Sequence, residues 1–385
     1  MPRSALRLFA IAIVARTPYA AVGLLLIVRT KELTGSYAAS GLVTAAASLA
    51  LAVVSPAVGR LVDRTGQTIV LRTAVALNTT ALVTFGLLPH GTPLAALVGC
   101  ALLAGISTPP IGACLRALYA TLVDGERLHR IFAIESAALE LTYIAGPLLM
   151  LGIASVAGTG TALVLAAAAL GAGTFVFSAT RESRGWSGSA DPSDERGGAL
   201  RSPGLQTLAI AVALAAATFG AVEVAVPAAC QAADAKGATG ALLAVWGLGS
   251  MLGGFAAARA AAPADAARWL ALLLAALGVG DLALVPVSAP VALAPLLLVA
   301  GAAIAPLLGT AYSIVDRVMP RSRQTEAFAW LTTAISVGIS AGSALAGVLV
   351  DAGGPGAGFA VAAAVGLIAC AIISARRGSL APATA

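Results

Sequence analysis

At 385 residues, 59% hydrophobic and only 10% charged, the chain has a mean hydropathy of +0.96, which excludes an ordinary soluble globular domain. Its net charge of +6 does not indicate nucleic acid, because the arginines fall in short clusters between apolar runs. The four cysteines (Cys100, Cys114, Cys230 and Cys370) lie inside those runs without CxxC or metal-type spacing, so they read as small buried apolar groups, with no metal site.

Arg3 and Arg7 precede an apolar stretch that continues to Val28. More such runs follow, so this one reads as a retained first helix and not as a signal peptide. Twelve segments, each long enough to cross about 30 Å of hydrocarbon, are predicted. They lie near 5–28, 37–58, 68–89, 94–118, 131–153 and 159–180, then 205–231, 238–259, 267–288, 290–315, 325–350 and 355–375. Between the sixth and seventh stands Arg181–Gly204, with four arginines, four acids and no hydrophobic period. It reads as a solvated, largely unstructured connector between an N-terminal six-helix bundle (1–180) and a C-terminal one (205–385).

Charge fixes the expected orientation. With the N-terminus in the cytoplasm, 19 of the 23 basic residues fall on that side, Arg29, Lys31 and Lys236 fall outside, and Arg16 lies within the first helix. Both termini are then cytoplasmic. The arginine excess and abundant alanine suggest a GC-rich bacterial genome, hence the bacterial cytoplasmic membrane. The halves also repeat at an offset of 196 residues: Pro110 falls on Pro306, Arg127 on Arg323, Phe132-Ala133 on Phe328-Ala329, and Ala145-Gly146 on Ala341-Gly342. An even number of helices separates the copies, as parallel six-helix repeats require.

Gly59-Arg60-Leu61-Val62-Asp63-Arg64-Thr65-Gly66-Gln67, expected as the loop between helices 2 and 3, resembles the G-x-L-x-D-R-x-G-R/K signature of the major facilitator superfamily. It departs from that signature at Gln67 and Thr68, and the loop after helix 8 (Gly253–Arg259) keeps little of it. On chemical grounds Gly59 permits close helix approach and Gly66 suits a turn with positive φ. Asp63 can accept hydrogen bonds from a neighbouring helix N-terminus or pair with an arginine such as Arg116, forming a conformational latch with Arg64 beside it. In helix 5, Gly146-Pro147 resembles the core of the drug/proton antiporter signature, with Thr142, Met150 and Leu151 where flanking glycines would stand. A proline kink with small-residue packing is the other reading of this helix 5 hinge.

Ionisable groups deep in apolar helices are functional candidates, because an unpaired charge there is costly. Arg16 lies about 18 Å into helix 1 and Glu140 about 13 Å into helix 5, at roughly 1.5 Å per residue. Glu223 lies in helix 7, four residues before Pro227. The resemblance implies that these three face inward. Arg16 and Glu140 then form either a fixed ion pair or part of a coupling site, while Glu223, without a basic partner in its own half, is the titrating carboxylate. Glu135 reads as an acid at a helix N-terminus, Asp281 as a residue of a peripheral helix, and His90 and His129 as loop residues.

The expected fold is an all-α membrane protein of twelve transmembrane helices in two six-helix bundles, the major facilitator fold. No Walker loop, nucleophile–base pair or metal cluster marks an enzyme. The expected function is secondary active transport, with proton-coupled efflux of a small amphipathic compound by alternating access. An importer or facilitator of a small neutral solute such as a sugar, and a transport-dead receptor or lipid-handling protein, are the alternatives. The expected partners are a small-molecule substrate and the lipid bilayer, for a monomer without a cofactor beyond the proton gradient.

Overall fold

The computed structural model describes residues 3–123, 125–186 and 198–380. Twelve helical spans have the length and hydropathy to cross a membrane. They are α1 (Arg3–Thr34), α2 (Tyr37–Thr65), α3 (Gln67–Leu87), α4 (Leu94–Leu122), α5 (Arg127–Ala157) and α6 (Thr159–Ser178), followed by α7 (Pro203–Ala232), α8 (Thr239–Arg259), α9 (Ala266–Leu284), α10 (Pro290–Val318), α11 (Arg321–Gly353) and α12 (Pro355–Ala375). The twelve expected segments are thus all present as helices.

Two corrections concern helix ends. The signature stretch is not a loop: α2 runs through Thr65, and only Gly66, with φ 90°, makes the turn into α3. Helical structure ahead of α5 begins at Gly125, so His129 is buried in a helix and is not a loop residue; His90 does lie in a turn. The connector is also more ordered at its ends than expected. Arg181–Arg184 forms one helical turn capped by Thr180, Ala199–Arg201 forms a 3-10 turn, and α7 starts at Pro203. Residues 187–197 of the expected linker lie outside the described residues.

The chain forms two compact units. The first comprises Met1–Leu122, Leu141–Arg196 and Ser322–Ala329, and the second Val123–Glu140, Gly197–Arg321 and Trp330–Ala385. The opening turns of α5 therefore pack with the second unit and those of α11 with the first. Small residues make both arrangements possible. In the first unit a Cβ on Gly59 would stand 2.9 Å from the Ala329 Cβ; in the second, one on Gly254 would stand 2.7 Å from the Ala137 Cβ and 3.3 Å from the Ala133 carbonyl. Gly254 follows Gly59 by 195 residues and Ala329 follows Ala133 by 196, so the two contacts are repeat-related.

Three spans are interrupted, α1 at Ala20–Ala21, α4 at Ser107–Pro110 and α10 at Ala302–Ala303. Carbonyls freed within a membrane need internal donors. In α4 the Ala104 carbonyl accepts from Thr108 Oγ1 (2.9 Å) and from Asn78 Nδ2 of α3 (2.8 Å), while Tyr19 of α1 shares a hydrogen bond with Thr108 (3.0 Å). Elsewhere in the first unit an apolar cluster including Leu25, Leu82, Phe85, Leu97 and Leu163 fills the space between helices.

Helix crossings in both units depend on glycine. Gly146 of α5 lies against the Thr17 carbonyl of α1, and Gly342 of α11, its repeat mate, against the Ala217 carbonyl of α7. A Cβ at either position would overlap backbone that cannot retreat. Gly342→Val is expected to destabilise the protein by about 1–3 kcal/mol or more, read as a lower unfolding temperature in detergent. Gly347→Val, on the same helix where a Cβ meets nothing within 4 Å, should leave that temperature unchanged.

Candidate functional site

The signature residues of α2 meet the N-terminus of α11, whose α-helical part begins at Gln324 after a 3-10 turn over Arg321–Arg323, inside the first unit. Gly59 lets the helices touch, since its Cα faces the Thr325 carbonyl and Glu326 Cα at distances that leave no room for a Cβ. One turn later Asp63, 4% exposed, accepts from the backbone N–H of Thr325 (Oδ1, 3.2 Å) and of Glu326 (Oδ2, 2.8 Å). These N–H groups are donors that the first helical turn cannot use internally, and the helix dipole favours a carboxylate there. Of the two partners open to Asp63 in the sequence, the helix N-terminus is thus occupied.

Arg60 completes the contact by donating from Nη2 to Glu326 Oε1 at 2.7 Å; its side chain is 45% exposed and that of Glu326 only 2%. Sequence reasoning missed this pair. It singled out Arg64, which is exposed, although Arg60 stands on the Gly59 side of α2. Arg116 is buried in α4. Gln67, where the family signature carries a basic residue, is fully buried and donates Nε2 to the Cys114 carbonyl at 3.1 Å. That is a site for a neutral donor. In the second repeat the mates of Arg60, Asp63 and Glu326 are Phe255, Ala258 and Arg130, so the acid-to-helix contact has no copy there.

In the second unit α5, α7 and α8 bring together the acidic candidates. Glu140 of α5 accepts a hydrogen bond from Ser250 Oγ of α8 at 2.9 Å and lies within electrostatic range of Glu223 on α7. Ser250 is fully buried and Glu140 half-buried, whereas Glu223 is exposed and has no hydrogen bond or ion pair among the described residues. Phe219, one turn before Glu223, meets Trp246, one turn before Ser250, edge to face at 6.0 Å. The ring pair fixes α7 against α8 and so sets the positions from which Glu223 and Ser250 project. Ser250 was not singled out in the sequence, and a serine on a small-residue helix gives little signal.

Arg16 belongs to the first unit, where its guanidinium lies over Gly112 of α4; a Cβ there would stand 3.1 Å from Nη1. The interruption of α4 immediately before Gly112 and the missing side chain together make room for this cation. Glu135 is fully buried near the start of α5, and His129 Nδ1 lies 3.5 Å from Ser313 Oγ of α10. Asp281, on the helix that the resemblance ranks as peripheral, is itself fully buried. Among the described residues no group of three or more His, Cys, Asp or Glu side chains could hold a metal ion.

The family model of the Major Facilitator Superfamily matches residues 8–261. Among curated proteins none matches. Among solved structures, the human organic anion transporter MFSD10 (TETRAN) is similar at a TM-score of 0.76 and 18% identity, covering 97% of this chain and 100% of that one. A bacterial homologue of the iron transporter ferroportin in the outward-facing state has a TM-score of 0.77 at 14% identity, covering 98% of this chain and 100% of its own. The proton:xylose symporter XylE has a TM-score of 0.70 at 13% identity, covering 97% and 95%. At these identities the likeness concerns the fold. With twelve membrane-spanning helices and a family match over most of its length, this chain is a member of the major facilitator superfamily.

Proposed function

We propose that the chain is a secondary active transporter exporting a small amphipathic compound, neutral or cationic, in exchange for protons by alternating access. The observation that carries this reading is the grouping of Glu140, Glu223 and Ser250 on three helices of one unit. Two carboxylates in electrostatic range inside a membrane protein repel when both are ionised, and a proton on either relieves that repulsion. Ser250 holds Glu140 in place, while Glu223 has the exposure that proton exchange requires. Glu223 is therefore assigned the coupling proton and Glu140 the positioned partner whose charge the proton offsets. Arg16 supplies a fixed positive charge in the first unit.

Gly59, Asp63, Gly66 and Arg60 with Glu326 act as the conformational latch, and Gly146-Pro147 provides the close α1–α5 crossing. The protein works as a monomer in the bacterial cytoplasmic membrane with both termini in the cytoplasm, and no chemical step is involved. Purified protein in proteoliposomes tests the reading. Substrate accumulation should follow an imposed pH difference, and counterflow exchange should persist without one. Counterflow without any accumulation in response to the pH difference would identify a facilitator instead.

A further inference from the structure

Asp281 is the one acid of α9, and it sits on that helix's buried face near the C-terminal end, flanked by Leu277, Gly278 and Leu284. Its side chain is fully buried, and neither carboxyl oxygen has a hydrogen-bond partner among the described residues. The contacts of its neighbours locate it. Gly278 lies against Ala363 and Leu367 of α12, and Gly280 against Ala300 of α10, so Asp281 projects between those two helices into the second unit. Three residues before the end of α9, it stands about 5 Å from that end at 1.5 Å per residue.

The titratable groups on the packed elements lie in other layers. α10 carries Tyr312, Asp316 and Arg317, the nearest of them about 18 Å along that helix from Ala300, which faces Gly280. α12 carries Cys370, about 10 Å along that helix from Ala363, which faces Gly278, on the side away from Asp281, and Arg377 follows after the helix. No cation on these elements shares the layer of Asp281. A carboxyl group without a donor or cation cannot hold a negative charge cheaply there, so it is present as the neutral acid.

A route for its proton is also present. Val285, one turn beyond Asp281 on the same side of α9, lines a pocket of about 400 Å³ closed by Ala229 and Ala232 of α7, Val287 of the α9–α10 connection, and Pro355 and Gly356 of α12. Gly356 leaves the Val285 carbonyl only 2.9 Å from where a Cβ would stand, so the pocket reaches the α9 backbone itself. Asp234, exposed in the α7–α8 turn, is the nearest acid in sequence to the α7 part of its rim.

We propose that Asp281 is a proton-binding site of the second unit, loaded and unloaded through this pocket. The site is separate from Glu140 and Glu223, and it does not require either to carry the coupling proton. The experiment is infrared spectroscopy on purified full-length protein carrying Glu140→Gln and Glu223→Gln, so that the membrane acids of the proposed function are silent. Isotope-labelled aspartate assigns the carbonyl stretch of a protonated carboxyl group to aspartate without altering Asp281.

The expected result is a protonated-aspartate band at neutral pH that disappears in Asp281→Asn and shifts on transfer to heavy water. Ala232→Phe, which fills the pocket from an exposed position on α7, should slow that shift several-fold. Absence of a protonated-aspartate band, or its persistence in Asp281→Asn, overturns the site. If Asp281→Asn does not fold, Asp281→Glu takes its place: the acid is kept but the labelled-aspartate band should vanish, and a band that stays belongs to another aspartate such as buried Asp63 and overturns the site. An unchanged exchange rate in Ala232→Phe overturns the pocket route. Transport is not the readout, so failure here leaves the efflux reading standing and success does not establish it.

Discussion

Glu223→Gln is expected to abolish substrate accumulation against a gradient while leaving substrate binding and counterflow exchange near the wild-type level. Glutamine keeps the size and hydrogen-bonding capacity of the neutral acid, so packing around α7 is preserved. What it removes is the ability to alternate between charged and neutral forms. With one proton exchanged per substrate, a pH difference of one unit sustains about a tenfold concentration ratio, equivalent to about 1.4 kcal/mol. That ratio should collapse to one in the variant. Exchange persists because counterflow moves substrate in both directions without net proton movement, and the α7–α8 ring pair and the Ser250–Glu140 bond remain. Proteoliposomes with an imposed pH difference provide the measurement. Wild-type accumulation in Glu223→Gln would move the assignment to Glu140.

The residues behind this expectation were unequally legible in the sequence. Glu140 and Glu223 announced themselves because each interrupts an otherwise apolar helix, and the twelve spans were readable because length and hydropathy alone define them. Which acids have partners was not readable. Ser250 donates to Glu140 from a helix 110 residues away, and nothing local to either residue encodes that bond. Asp281 reads only as a residue of a peripheral helix, and a helix's rank in a family pattern does not say which of its faces is buried; the small residues Gly278 and Gly280 are the available signal.

Polar stretches misled in a different way. Gly59–Gln67 reads as a loop because it holds four charged or amide side chains, yet α2 continues to Thr65 and α3 starts at Gln67, since Arg60 and Asp63 are taken up by α11 and Gln67 by α4, while Arg64 stays exposed. His129 was misplaced for the same reason: the charged start of α5 looks solvated, but its opening turns pack within the second unit, where Phe132 meets Tyr312 and Ala133 meets Gly309. Hydropathy reports affinity for lipid, and it does not separate a polar residue in water from one buried against another helix.

That distinction matters most at Asp63, for which the second large effect is expected. Asp63→Asn should reduce transport severalfold with normal membrane insertion and yield. The aspartate accepts one backbone N–H on each carboxylate oxygen, and both donors belong to the unpaired first turn of α11. Asparagine offers a single acceptor oxygen, no charge for the helix dipole, and an amide N–H₂ facing a backbone N–H. Losing a charge-assisted bond and leaving a buried donor unmet costs about 1–3 kcal/mol, which would shift the balance between latched and released conformers by about 5- to 150-fold. Because α11 passes from the first unit at Ala329 into the second at Trp330, the contact acts on a helix common to both. Arg60→Ala should act in the same direction by leaving buried Glu326 without its cation, and adding Glu326→Gln should restore part of the loss. Asp63→Asn offers no such rescue, since no second substitution returns the two acceptors. Cysteine accessibility at the start of α11 and initial transport rates in vesicles measure the two sides of this expectation. Unchanged accessibility with wild-type rates in Asp63→Asn would mean that the contact only caps α11 and that the conformational cycle is controlled elsewhere.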